Sequence, residues 1–227
     1  MKLKIILFLL CLPFFTLAQI NFSQYFWNKS LRFDFLLGGN NKVMQVFPEQ
    51  IKQEPYWAGS KVHLIDPFSY GTYRFRVFDL NSDKLIFSKG FSTLFQEWQT
   101  TAEAKHTDKT FYQAAIFPFP KNKIRLEIDA RQWEGNFKTI YQTEIDPANY
   151  FILNEMVKPF KTVDILNNGK PEKKVDIVIL AEGYTASEMD KFVEDAKRVA
   201  GYLFEEEPFL SEKGKFNVKA VLTPSVE

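Results

Sequence analysis

At 227 residues, 45% of them hydrophobic and 25% charged, the chain is long enough for one sizeable core or two modest ones. Its 11 prolines and 10 glycines are ordinary for a globular protein and exclude a fibrous repeat or a disordered polymer. With 29 bases against 28 acids, the balance gives no electrostatic case for nucleic acid as a partner.

Residues 1–18 read as a secretory signal peptide. Lys2 and Lys4 form a positive start, Ile5 to Leu12 an apolar stretch, and Thr16-Leu17-Ala18 a small-residue cleavage site before Gln19. The apolar stretch is shorter than the ~20 residues that a membrane-spanning helix needs. Cleavage would remove Cys11, the single cysteine, so the mature chain is expected to hold no disulfide and no thiolate. An exported product follows, whether secreted, periplasmic or at the cell surface, with no membrane span once the signal is gone.

Residues 19–150 predict an antiparallel β-sandwich. Tyr73-Arg-Phe-Arg-Val77 and Ile124-Arg-Leu-Glu-Ile128 alternate apolar and charged residues with a period of two, placing one face on a core and one in water. Looser strands are expected over 31–37 before Gly38-Gly39, 43–47 before Pro48, 61–65 before Asp66-Pro67, 85–88, 111–117 and 137–143. No crossover helix separates them, which favours a sandwich over a parallel sheet. Residues 90–110 are an irregular insert. The 24 phenylalanines suit such half-buried pleated surfaces.

Residues 151–174 read as a linker, punctuated by Lys158-Pro159 and the polar turn Asn167 to Pro171. From 175 to 227 the pattern changes. Val175 to Leu180 is nearly continuous apolar text, the mark of a strand covered on both faces. Thr185 and Glu188 stand at capping-box spacing, Tyr184 and Met189 can form a hydrophobic staple, and Met189, Phe192, Ala196, Val199 and Leu203 make a helical stripe. Pro208 stops the helix and a second strand is expected over 216–222. The whole is a mainly β chain with an α/β portion, a strand-helix-strand unit expected to be parallel.

Chemistry-bearing motifs are scarce. His63 and His106 lie outside any H-E-x-x-H, which would place two imidazoles one helical turn apart with a glutamate base beside them, so each is assigned a structural or surface role. There is no G-x-S-x-G elbow and no phosphate-cradling glycine loop. No residue is assigned as catalytic and none as a metal ligand. Ligands of open α/β sheets gather beyond the carboxyl ends of the strands, which makes Glu182, Gly183 and Tyr184 candidates for a substrate-cleft rim. A plain tight turn with Tyr184 as staple accounts for the same residues.

The stretch "VDIVILAEGYTASEMDKFVEDAKRVAGYLFEEEPF", followed by "KFNVKAVLTPS", resembles the opening of the catalytic domain in the IgA peptidase family of secreted zinc metallopeptidases. Upstream, "LRFDFLLGG", "FSKGFSTLFQEWQTTAEAK", "FPFPKNKIRLEI" and "EIDPANYF" resemble the β-sandwich domain that precedes it. The resemblance implies that 175–227 is the start of a metallopeptidase domain, truncated before the H-E-x-x-H helix. It implies no cofactor in this chain but zinc in the full-length protein, where the metal activates water against a peptide carbonyl of a protein or peptide substrate. The competing expectation is a non-catalytic exported β-sandwich binding module.

Overall fold

The computed structural model describes residues 20–155 and 160–226. Residues 1–18, read above as a signal peptide and containing Cys11, and Lys158-Pro159 lie outside the described residues. A short helix α1 (Phe22–Tyr25), capped by the Asn21 side chain at 3.0 Å from the Ser23 N–H, leads into the 14-residue strand β1 (Phe26–Gly39). There follow β2 (Met44–Glu54), β3 (Tyr73–Asp79), β4 (Lys84–Phe91), helix α2 (Leu94–Gln99), β5 (Lys109–Pro120), β6 (Ile124–Arg131), β7 (Phe137–Ile145) and β8 (Leu153–Asn154). These strands make two four-stranded sheets, ordered β5-β1-β2-β8 and β4-β3-β6-β7.

The sheets pack face to face. Leu31, Phe33, Phe35, Leu37 and Phe117 of the first meet Tyr73, Phe75, Val77, Leu126 and Ile128 of the second in one buried core. Phe117 is fully buried, with its ring centroid 6.1 Å from Phe75 and 6.3 Å from Phe87 across the interface. The predicted sandwich is therefore present. Its irregular insert is more ordered than its sequence suggests: Thr93 caps α2, and Phe95, Trp98 and Ala104 are buried against the core.

Two strand expectations need correction. Residues 61–65 form a loop, anchored because Leu64 is buried and its carbonyl accepts from the Ser88 N–H at 3.0 Å. Alternation there reflects one buried residue rather than a ladder. Nor does β2 end at Pro48. It runs through, because a bulge opposite Asp34 and Phe35 absorbs the irregularity and β8 pairs only with Lys52 and Gln53, leaving Pro48 on an open edge.

The outer face of the second sheet is a rail of arginines. Asp129, fully buried, accepts from Arg74 at 2.7 Å, Arg76 at 2.8 Å and Thr139 at 2.8 Å. Glu127 pairs with Arg76 at 2.6 Å and Arg125 at 2.7 Å. Phe78 lies under Arg76 and Arg125, and Phe137 under Arg74 and Arg131, with guanidinium-to-ring distances of 4.2 to 5.2 Å.

A third sheet follows, ordered β10-β11-β9 and built from β9 (Thr162–Leu166), β10 (Val175–Leu180) and β11 (Phe216–Val221). β10 and β11 are parallel, as the strand-helix-strand pattern requires, whereas β9 is antiparallel to β11 and lies where the sequence reading placed no strand. Between β10 and β11 run α3 (Met189–Leu203) and the short α4 (Phe209–Glu212). Helix α3 buries Phe192, Ala196 and Ala200, with Phe204 just beyond it, against Val163, Ile165, Ile177, Ile179, Val218 and Ala220. Val199, assigned to the stripe, is 53% exposed, because the small Ala200 lets the helix settle closest to the sheet one residue further round.

The apolar run of β10 predicts cover on both faces. Among the described residues only one face has it. Ile177 and Ile179 face α3, while Val178 and Leu180 on the other side are 56% and 61% exposed, since one crossover helix can lie on only one face. That open face continues across Val221 to Lys219, which pairs with Asp164 of β9, and Asn217, which donates to Asp176 at 2.8 Å.

Candidate functional site

The carboxyl ends of β10 and β11 lie side by side, and the turn leaving β10 is tied to the segment that leaves β11. Ala181 is buried and its N–H reaches the Val221 carbonyl at 3.3 Å. Gly183 adopts φ +78, a left-handed conformation that glycine enters freely, and its N–H donates to the Ser225 hydroxyl at 2.9 Å. The Ser225 N–H in turn donates to the Tyr184 carbonyl at 2.9 Å. With a longer bond from the Thr223 hydroxyl to the Ala181 carbonyl at 3.5 Å, four hydrogen bonds thus fasten residues 181–184 to the exit of the neighbouring strand.

Tyr184 points inward. Its ring lies 5.3 Å from Phe192 with Met189 in the same cluster, and its hydroxyl donates to Asp195 at 3.0 Å. Asp195 also accepts from Lys191 and Arg198, each at 2.7 Å. Arg198 first, then Lys191 and the Tyr184 hydroxyl, hold the Asp195 carboxyl well below the usual carboxylate range. The Glu188 carboxylate accepts from both the N–H and the hydroxyl of Thr185, each at 2.9 Å, and these bonds, the N–H first, lower its pKa. The helix opens there as a 3₁₀ turn over Ala186–Glu188 before α3.

Of the residues proposed for the rim, Glu182 is exposed, and no side-chain partner meets its carboxylate among the described residues. Gly183 is exposed beside it, whereas the Tyr184 hydroxyl is occupied within the fold. The arrangement can present one free carboxylate at the end of two parallel strands. The histidines are far less suggestive. His63 and His106 are both exposed, and Glu103, three residues before His106, is committed to Trp98 at 2.8 Å and Lys109 at 2.7 Å. Among the described residues no three His, Cys, Asp or Glu side chains are grouped so that they could hold a metal ion, so these residues do not fit a zinc centre. No described helix is long and apolar enough to cross a membrane.

Sequence reasoning passed over a groove of about 440 Å³ at the start of β1, lined by Trp27, Asn28, Lys29, Gln53, Pro55, Tyr56 and Phe119. The signal for it was a break in alternation: Trp27, Asn28 and Lys29 are exposed in succession within a strand.

A two-sheet sandwich joined to a mixed sheet with a crossover helix is the build of a modular protein, an all-β unit preceding an α/β unit. The chain belongs to the IgA peptidase M64 family: a family model described as Peptidase M64 N-terminus matches residues 21–142, and one described as IgA Peptidase M64 matches 163–227. The first match covers the sandwich through most of β7, and the second covers the third sheet from within β9. Membership makes this a metallopeptidase-family chain, and proteins or peptides are the substrates of such a family. No curated protein matches it.

Proposed function

We propose that the chain is the N-terminal portion of an exported zinc metallopeptidase that hydrolyses peptide bonds in protein substrates, with the zinc-binding residues supplied by sequence that follows residue 227. The observation that carries this reading is the open face of the third sheet, where Val178 and Leu180 are more than half exposed on a strand whose composition calls for cover. Further catalytic-domain elements would cover it. Glu182 and Gly183 then stand on the cleft rim, with Tyr184, Thr185 and Glu188 holding the turn that carries them.

Extending the reading frame past codon 227 and expressing the longer product tests the proposal. The expected product carries an H-E-x-x-H, retains about one zinc per chain and cleaves casein, while the 227-residue chain does neither. A longer frame without that motif, or an extended product with no peptidase activity at any zinc concentration, overturns it. Export is tested separately by N-terminal sequencing of the exported protein, which should begin at Gln19.

A further inference from the structure

β1 and β5 lose their register between Phe26 and Ser30: Phe26 pairs with Pro120 and Ser30 with Pro118, so two extra residues bulge from β1. Bulges of this kind re-aim side chains, and this one turns out Trp27, Asn28 and Lys29 together. The opposite wall is equally fixed. The buried Ser30 hydroxyl donates to the Tyr56 carbonyl at 2.6 Å, and the Gln53 amide donates to Asn154 at 2.8 Å. Trp27 and Tyr56 nevertheless remain 56% and 73% exposed across a floor of Pro55 and the buried Phe119.

The charge around the groove is one-sided. Lys121 places its ammonium 4.5 Å from the Trp27 ring centre and donates to the Ser23 carbonyl, with no carboxylate partner among the described residues. Lys29 has no ion pair there either, and no acidic side chain lines the groove.

We propose that this groove binds an acidic sugar, a pyranose ring bearing a carboxylate. The apolar C–H face of such a ring lies flat on Trp27 or Tyr56, its hydroxyls meet the free amide of Asn28, and its carboxylate faces the lysine ammonium groups. An apolar peptide on the same aromatics offers Asn28 its backbone carbonyls but brings no anion to Lys29 and Lys121, which favours the acidic sugar over it. Sites of this kind are mostly apolar, with a few placed polar groups that set orientation. The groove lies on the sandwich, so its occupancy is independent of the peptidase reading.

Titration calorimetry on the full chain tests it with four probes: a sialylated trisaccharide, an oligogalacturonate, neutral lactose and a decaproline peptide. At least one acidic probe is expected to bind with a Kd below about 1 mM, and about tenfold more tightly than lactose. Trp27→Ala should weaken it by about tenfold or more, Trp27→Phe should keep most of it, and Lys29→Gln should bring the acidic probe to the level of lactose. Circular dichroism checks that each variant is folded. Should Trp27→Ala unfold, Lys29→Gln decides alone. The proposal falls if neither acidic probe binds, if lactose binds as tightly, if only decaproline binds, or if folded Trp27→Ala and Lys29→Gln bind like the parent.

Discussion

The Tyr184 hydroxyl donates at 3.0 Å to Asp195 in the second turn of α3, and so ties the turn that leaves β10 to the helix. Asp195 is thereby a shared acceptor for Tyr184, Lys191 and Arg198. Its depressed pKa makes the contribution depend on pH. The folded value lies below the unfolded value of about 4, so the stabilisation is fully present above about pH 4 and is lost as pH falls through the folded value. Carboxyl NMR titration should show a midpoint below the ordinary range. Arg198→Gln should raise it more than Tyr184→Phe does, and a midpoint that neither variant moves would refute the shared-acceptor account.

Phe117→Ala should destabilise the sandwich by about 3–5 kcal/mol, because the ring is fully buried between sheets and its removal leaves a cavity facing Phe75 and Phe87. Urea unfolding followed by far-ultraviolet circular dichroism measures this. A loss under about 1 kcal/mol would mean that the two sheets do not close on that ring.

Asp129→Asn keeps the shape of the carboxylate but removes its charge. Burial pushes the Asp129 pKa up, yet the hydrogen bonds from Arg76, Arg74 and Thr139 outweigh it and leave the value lowered. The folded chain therefore holds the anion, and its contribution is present above about pH 4 and lost as pH falls through the lower folded value. The substitution should cost about 1.5–3 kcal/mol near neutrality, the range for hydrogen bonds to a charged group. The difference between parent and variant should shrink below pH 4, and a gap that persists there would place the effect on packing instead.

Limited chymotrypsin digestion should cut first between Tyr150 and Pro171, where Tyr150, Phe151 and Phe160 are 93%, 80% and 53% exposed. A stable sandwich fragment should survive while the third sheet is degraded, because among the described residues nothing covers its open face or its β10 edge. Resistance of residues 175–226 equal to that of the sandwich would mean that the third sheet is a complete fold and would remove the support for missing catalytic elements.

Zinc added to the purified chain and removed by dialysis should leave no stoichiometric metal, since a zinc site needs about three protein ligands and the described residues offer no such group. Metal analysis by mass spectrometry checks it. One zinc per chain would point to ligands that the geometry does not bring together.

Much of this fold can be read from the sequence, and the exceptions share a cause. β3 and β6 are legible because Tyr73, Phe75, Val77, Ile124, Leu126 and Ile128 face one core and the charged residues between them form the outer face of arginines and their carboxylates. β9 is not, because Thr162 to Leu166 follows the break at Lys158-Pro159 and acquires its partner only from β11, some fifty residues later. The helix stripe is misread by one residue, since periodicity admits either Val199 or Ala200 and only the approach to Ile177 and Val218 decides. At the rim, the sequence places Glu182, Gly183 and Tyr184 together, but the inward turn of Tyr184 depends on Asp195, eleven residues away. The Trp27 groove escapes because its two walls come from β1 and the end of β2, and a bulge set by β5 opens it.

The arginine rail on the second sheet also limits how the sandwich can be joined to anything else. A further layer stacked on that face would have to strip water from Arg74, Arg76, Arg125 and Arg131 while their carboxylates and rings stay occupied beneath them. Additions to the scaffold therefore attach laterally rather than by stacking, and β8 does so, extending the first sheet beside β2 through Lys52 and Gln53 before the chain departs for the third sheet. The lateral strip is two residues wide, and beyond it the ion pair of Lys61 with Glu172 at 2.8 Å is a second tie between the sandwich and the segment that leads into β10.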